Sequence, residues 1–192
     1  MNDWGPEEVF RTDDRRKASA AAKNGEIRRI AQGLYTTNTD EPLEQLLRRR
    51  WAEVAALYHP NSVVVDRSAF TAAPEEDGSL FLDVGRSPKG PKRTDLPGLS
   101  LRPRNGPGPI EGDMPYLGLH ISSRARGFLD NLRPSRRRSG ISRTLSRIDL
   151  EKRLDRIALT RGEASLNEIR DEARSIASEL EAEDLFLLLD EV

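Results

Sequence analysis

The chain has 192 residues, 36% of them hydrophobic and 33% charged, with 31 Lys+Arg against 32 Asp+Glu and no cysteine. Length allows one generous domain or two small ones, and the near-cancelling charge gives no global pull toward nucleic acid. A disulfide framework and a thiolate metal site are excluded, His59 and His120 alone argue against a multi-histidine metal site, and no apolar run nears the ~18 residues of a membrane span.

The first residues, Met1 to Glu8, carry neither a basic stretch nor an apolar run of the secretory kind. A cytoplasmic chain is therefore expected. Asp13 to Asn24 reads as a helix rich in alanine and stopped by Gly25. A hairpin follows over 27–37, with Gln32-Gly33 as its two-residue turn. With Ala31 facing Leu34, strict pairing sets Ile30 opposite Tyr35 and Arg29 opposite Thr36. A basic helix leading into an arginine-bearing hairpin is the layout of a winged-helix DNA reader. Its candidate contacts are Arg15, Arg16, Lys17, Lys23, Arg28 and Arg29. The same charges also suit a solvated α+β cap.

Pro42 opens a second helix, and Leu43, Leu46, Leu47, Trp51, Val54, Leu57 and Tyr58 give it one apolar face up to Pro60. Arg48-Arg49-Arg50 falls on its polar side. Val63-Val64-Val65 is a short buried strand, and Asp66 reads as the N-cap of a brief helix that Pro74 stops. Strands are expected at 79–84, 99–102 and 117–121, separated by Pro/Gly-rich loops. Helices follow at 123–132, from Ser146 to about 160, and from a capping-box pattern, Ser165-Leu166-Asn167-Glu168, to about 180.

Charge is segregated along this order. Residues 133–147 carry Arg133, Arg136, Arg137, Arg138, Arg143 and Arg147 with no acid, whereas 163–192 is strongly acidic. Arg136, Arg137 and Arg138 fit phosphate or anion contact and a solvated loop equally well. The terminal run Leu185-Phe186-Leu187-Leu188-Leu189 is wider than a one-sided helical stripe hides. It either folds back between the two preceding helices or leaves Leu185, Phe186, Leu188 and Leu189 as a partner interface.

The chain lacks a phosphate loop, an HExxH helix and a GxSxG elbow. His120 in an apolar strand reads as a core histidine. His59, at a helix end where a cation favours the dipole, also reads as structural. Tyr35 and Trp51 read as core. No catalytic residue, metal or cofactor is expected.

Arg29-Ile30-Ala31-Gln32-Gly33-Leu34-Tyr35-Thr36-Thr37-Asn38 resembles the wing of AbiEi-type antitoxins, and Val63-Val64-Val65-Asp66-Arg67-Ser68-Ala69-Phe70 the segment opening the body of that family. A longer resemblance, to the region preceding the catalytic domain of some bacterial Fic proteins, runs through Asp77 to Leu82, Leu96 to Arg104 with Gly106-Pro107-Gly108-Pro109, Phe128 to Ser135 and Leu166 to Ala173. The Fic transfer loop, HxFx(D/E)GNGRxxR, has no counterpart: Pro60-Asn61 follows His59 and Ile121-Ser122 follows His120. The Fic inhibitory pattern fails too, since Leu180 follows Glu179. The resemblance implies a non-enzymatic antitoxin or transcriptional regulator that binds a cognate toxin and operator DNA. Its alternative is an N-terminal module that positions or restrains a Fic-type AMP transferase.

The expected architecture is α+β. A winged-helix-like helix and hairpin occupy 1–40, an α+β body with a small mixed β layer 41–132, and a basic loop with a C-terminal helical hairpin 133–192.

Overall fold

The computed structural model describes Trp4 and residues 7–135 and 141–190. The fold is α+β, with two sheets and seven α-helices among these residues.

Three short strands, β1 (Val9–Arg11), β2 (Arg28–Ala31) and β3 (Leu34–Thr36), form a sheet in the order β1-β3-β2. Helix α1 (Arg15–Lys23) lies between β1 and β2 in sequence; the Asp14 carboxylate caps it by accepting the Lys17 N–H at 3.0 Å. Side chains alternate across β3. Tyr35 packs toward α1 with Phe10, Ile27, Ala18 and Ala21, while Leu34 packs with Val9 into the main core.

The hairpin register differs from strict pairing. Ala31 does face Leu34, but a bulge at Ile30 sets Arg29 opposite Tyr35 and Arg28 opposite Thr36. The bulge lets the adjacent Ile30 and Ala31 both pack against the main core, which unbroken alternation forbids. It also turns Arg29 to the α1 side and Arg28 to the body side.

The apolar face expected for a single helix is shared by α2 (Leu43–Arg49) and α3 (Trp51–Tyr58), which are separated at Arg50. Both pack on the same core, so apolar spacing runs through the break unaltered. The arginines at the break are spent inside the chain. Arg49 and Arg50 hold Glu8 at 2.8 and 2.6 Å, Arg49 also meets Glu41, and Arg48 donates to the Glu76 carbonyl at 2.6 Å. The hydrogen bond from Arg49, then those from Asn38 and Arg50, hold the Glu8 carboxyl down at about 2 against the effect of its partial burial. These contacts clasp the N-terminal sheet to α2.

The body sheet has six strands in the order β6-β7-β5-β4-β9-β8. They are β4 (Val63–Val64), β5 (Ser79–Asp83), β6 (Thr94–Leu96), β7 (Leu99–Arg104), β8 (Met114–Tyr116) and β9 (Leu119–Ile121). β4 runs parallel to β9 and β5 to β7; the other pairs are antiparallel. Leu80 and Leu82 of β5 join Val64, Leu99, Leu101 and Leu119 under α2 and α3. Each such fully buried leucine contributes about 1.5–3 kcal/mol. The strand expected at 117–121 is instead a hairpin, β8 and β9, turning at Leu117 (φ 47°) and Gly118 (φ 80°).

A 3-10 helix (Asp66–Phe70) and α4 (Arg124–Leu132) follow β4 and β9. Phe128 and Leu129 of α4 start a second core, completed by α5 (Arg147–Arg161), α6 (Glu163–Ile176) and α7 (Glu183–Asp190). The capping box expected at Ser165 is not used. Gly162, at φ 81°, ends α5 and α6 begins on the next residue. Both cores run across the boundaries expected at 40/41 and 132/133. Leu34 shares its core with α2, and α4 shares one with α5 to α7.

Gly78 carries a firm local constraint. It sits at φ +80°, and a Cβ there would lie 2.4 Å from the Gly98 carbonyl oxygen. Gly78→Ala is expected to cost about 2 kcal/mol through strain and overlap. Urea denaturation checks this, and a loss below about 0.5 kcal/mol would contradict the stated contact.

Candidate functional site

α1 and the hairpin enclose a groove of about 450 Å³. Arg15, Ser19, Ala22 and Lys23 line one wall; their spacing places them on one face of α1. Arg29, Gln32, Gly33 and Tyr35 line the other wall. Three of these eight side chains are cations and none is acidic. Each cation is an exposed residue, with the Arg29 Nε donating to the Ala31 carbonyl at 3.3 Å, so the groove offers guanidinium, ammonium, hydroxyl and amide donors together, a set suited to phosphate oxygens.

The six cations expected at this surface divide. Arg15, Lys23 and Arg29 meet in the groove. Arg16 is exposed on α1 outside the lining. Lys17 stacks over the Trp4 ring at 4.9 Å. Arg28 is half-buried on the opposite face and donates to the Glu41 carbonyl. The bulge at Ile30 is the cause, and it takes Arg28 away from any ligand in the groove. Ser19 and Gln32 were not expected; the stripe at 15, 19, 22 and 23 is the local signal for the first.

The other expected residues fall as follows. Arg136, Arg137 and Arg138 lie outside the described residues. In α7, Leu189 is buried and Leu185 and Phe186 are half-buried on the second core, while Leu187 and Leu188 are exposed. The helix packs on α4 and α6 rather than between α5 and α6. Trp51 and Tyr35 are buried as expected. His59 closes α3; burial, then the nearby Arg11 charge, lowers its pKa, and its Nε2 is buried without a hydrogen-bond partner. His120 is half-buried, and its Nδ1 is buried without a hydrogen-bond partner, so it is not a satisfied core histidine.

Asp66 does not cap the short helix. Val65 occupies that position, and Asp66 sits fully buried at φ 56°. Its Oδ2 lies 3.3 Å from Arg104 and 3.4 Å from Arg143. This is one edge of a buried ionic cluster. At its centre Arg126, fully buried on α4, meets Asp83 at 2.7 Å, Asp130 at 3.4 Å and Asp113. Arg104 reaches Asp130 at 2.8 Å, and Arg133 reaches it at 3.3 Å. Four arginines thus face four aspartates. Asp83 also accepts the Gly85 and Gly108 N–H groups, and Asp113 those of Ile110 and Ser123. Such balance marks a staple joining β5, β7, the 105–113 loop and α4.

No group of three or more His, Asp or Glu among the described residues is placed to hold a metal ion. No described helix is long and apolar enough to cross a membrane. Comparison with protein-family models, curated proteins and solved structures returns no significant match.

Proposed function

We propose that the chain is a non-enzymatic regulator of the AbiEi-like antitoxin kind, binding operator DNA through its N-terminal unit and a toxin partner through its C-terminal helices. The N-terminal unit acts as a reduced winged-helix head, with α1 as its helix and β2-β3 as its wing. The observation that carries the reading is the acid-free groove in which Arg15, Lys23 and Arg29 converge. Cations brought together from a helix and a hairpin suit a nucleic-acid backbone, whose binding is dominated by phosphate neutralisation.

The test is a titration of the full chain with labelled duplex DNA from upstream of its own reading frame, at several salt concentrations. Each phosphate neutralised adds about 0.9 to the log–log salt slope. Replacing Arg15, Lys23 and Arg29 together by alanine is expected to weaken binding at least about tenfold and flatten the slope by up to about 2.7. Arg28→Ala, altering a side chain held on the Glu41 carbonyl, is expected to leave the slope unchanged. Undiminished binding by the triple variant would refute the groove as the DNA contact.

A further inference from the structure

β4 and β9 run side by side in parallel, and each leads into a helix, the 3-10 helix and α4. Beyond their carboxyl ends, these two helices, the start of β8 and α6 border an open cleft of about 710 Å³, a size that takes a small organic ligand. Phe70, Ile121 and Ile169 supply its apolar lining. Gly127 of α4 also lines it, and a Cβ there would lie 3.6 Å from Ala69 Cβ and from the Phe70 ring, in ordinary contact. Alanine would thus fit and favour the helix, whereas the glycine leaves the space open. Ser122, 6% exposed, lines the cleft as well, and its Oγ is buried without a hydrogen-bond partner. Buried hydroxyls seldom stay unpaired; the adjacent Ser123 Oγ accepts the Arg126 N–H at 3.2 Å. Three charged side chains complete the lining, Arg124 of α4 and Glu168 and Glu172 of α6. Their spacing puts the two carboxylates on one face of α6. Gly112 leaves room for the second, since a Cβ there would lie 3.0 Å from Glu172 Oε1. None of the three charges has an ion-pair partner within 4.0 Å among the described residues, although both signs line the same cleft.

We propose that this cleft binds a small zwitterion, an apolar dipeptide with both termini free. Its ammonium meets Glu168 and Glu172, its carboxylate meets Arg124, and the Ser122 hydroxyl, donor and acceptor at once, meets the peptide unit between them. Its side chains lie on Phe70 and Ile169. The separated charges select this occupant: a simple cation leaves Arg124 unanswered, a simple anion faces two carboxylates, and a neutral ligand answers neither sign. The cleft shares no lining residue with the N-terminal groove, so the inference does not depend on DNA binding there.

The test is isothermal titration calorimetry of the full chain with leucyl-phenylalanine, its N-acetyl form and its C-terminal amide. The free dipeptide is expected to bind at least about tenfold more tightly than either blocked form, since each block removes a charge-assisted contact. Arg124→Gln is expected to abolish the preference over the amide alone, and Glu168→Gln/Glu172→Gln the preference over the acetylated form alone. A general loss of structure would not separate the two in this way. Ser122→Ala is expected to weaken binding about fivefold with an unchanged urea midpoint, because its Oγ holds no hydrogen bond within the chain. The triple Ala variant of Arg15, Lys23 and Arg29 is expected to bind the dipeptide normally, and the cleft variants to bind DNA normally, so each site can fail alone. No heat of binding up to millimolar dipeptide, equal or tighter binding of a blocked form, or affinity unaltered in the charge variants would overturn the proposal.

Discussion

Arg126→Met is expected to destabilise the protein by about 3–5 kcal/mol near neutral pH. Arg126 is fully buried, and its guanidinium meets Asp83, Asp113 and Asp130 and donates to the Gly108 carbonyl at 2.9 Å. Methionine fills comparable space but supplies no charge and no donor, leaving three carboxylates in a low-dielectric interior with part of their compensation gone. Arg104 still reaches Asp83 and Asp130, but Asp113 retains only backbone donors. Arg126→Lys is expected to fall between the two, since an ammonium keeps the charge but cannot span three carboxylates. Urea denaturation of the three proteins measures this. A loss below about 1 kcal/mol for Arg126→Met would show that the cluster is not the staple described.

Asp66 is expected to give the protein a component of stability that falls as pH rises. Burial raises its carboxyl from 3.8 to about 6, against the lowering influence of Arg104 and Arg143 and with a further push from Asp130. The folded protein thus holds this proton more tightly than the unfolded chain does. The benefit is full below about 3.8 and is lost as pH rises through about 6. A displacement of about two units corresponds to roughly 3 kcal/mol at most. The lowered Glu8 carboxyl works in the other direction: its stabilisation is present above 4.5 and lost as pH falls through about 2. Comparing Asp66→Asn with the parent at each pH cancels such contributions. The stability difference between the two proteins is expected to shift by up to about 3 kcal/mol across this window in favour of the variant at the higher pH. A difference that stays constant with pH would rule out Asp66 as the group concerned.

Part of the candidate site was legible in local sequence. The alanine-rich segment ending at Gly25, the Gln32-Gly33 turn and the cations flanking them specify a helix and a hairpin, because capping, glycine's positive φ and helical spacing act within a few residues. Arg15, Lys23 and Arg29 were therefore identifiable, as was the α+β class. β1, β6 and β8 were not: each is three residues long and mostly without the run of apolar or β-branched residues that marks a strand.

What tertiary structure alone decided is which side each group faces and what it meets there. The bulge at Ile30 follows from the demand of the main core for both Ile30 and Ala31, and it sends Arg28 to the Glu41 carbonyl and Arg29 to the groove. Arg126 finds Asp83 across 43 residues of chain, a pairing without local periodicity. Asp66 looked like a cap because a carboxylate before a helix usually is one; burial against Arg104 assigned it otherwise. The leucine run at 185–189 was split between core and solvent by the packing of α7 on α4 and α6. Composition, turn residues and spacing determined by themselves that this chain forms helices and a hairpin and that cations sit on the first helix and in the hairpin, since those signals are local. The sheet order, the ionic staple and the faces of the arginines required the folded chain, since they depend on contacts between residues far apart in sequence.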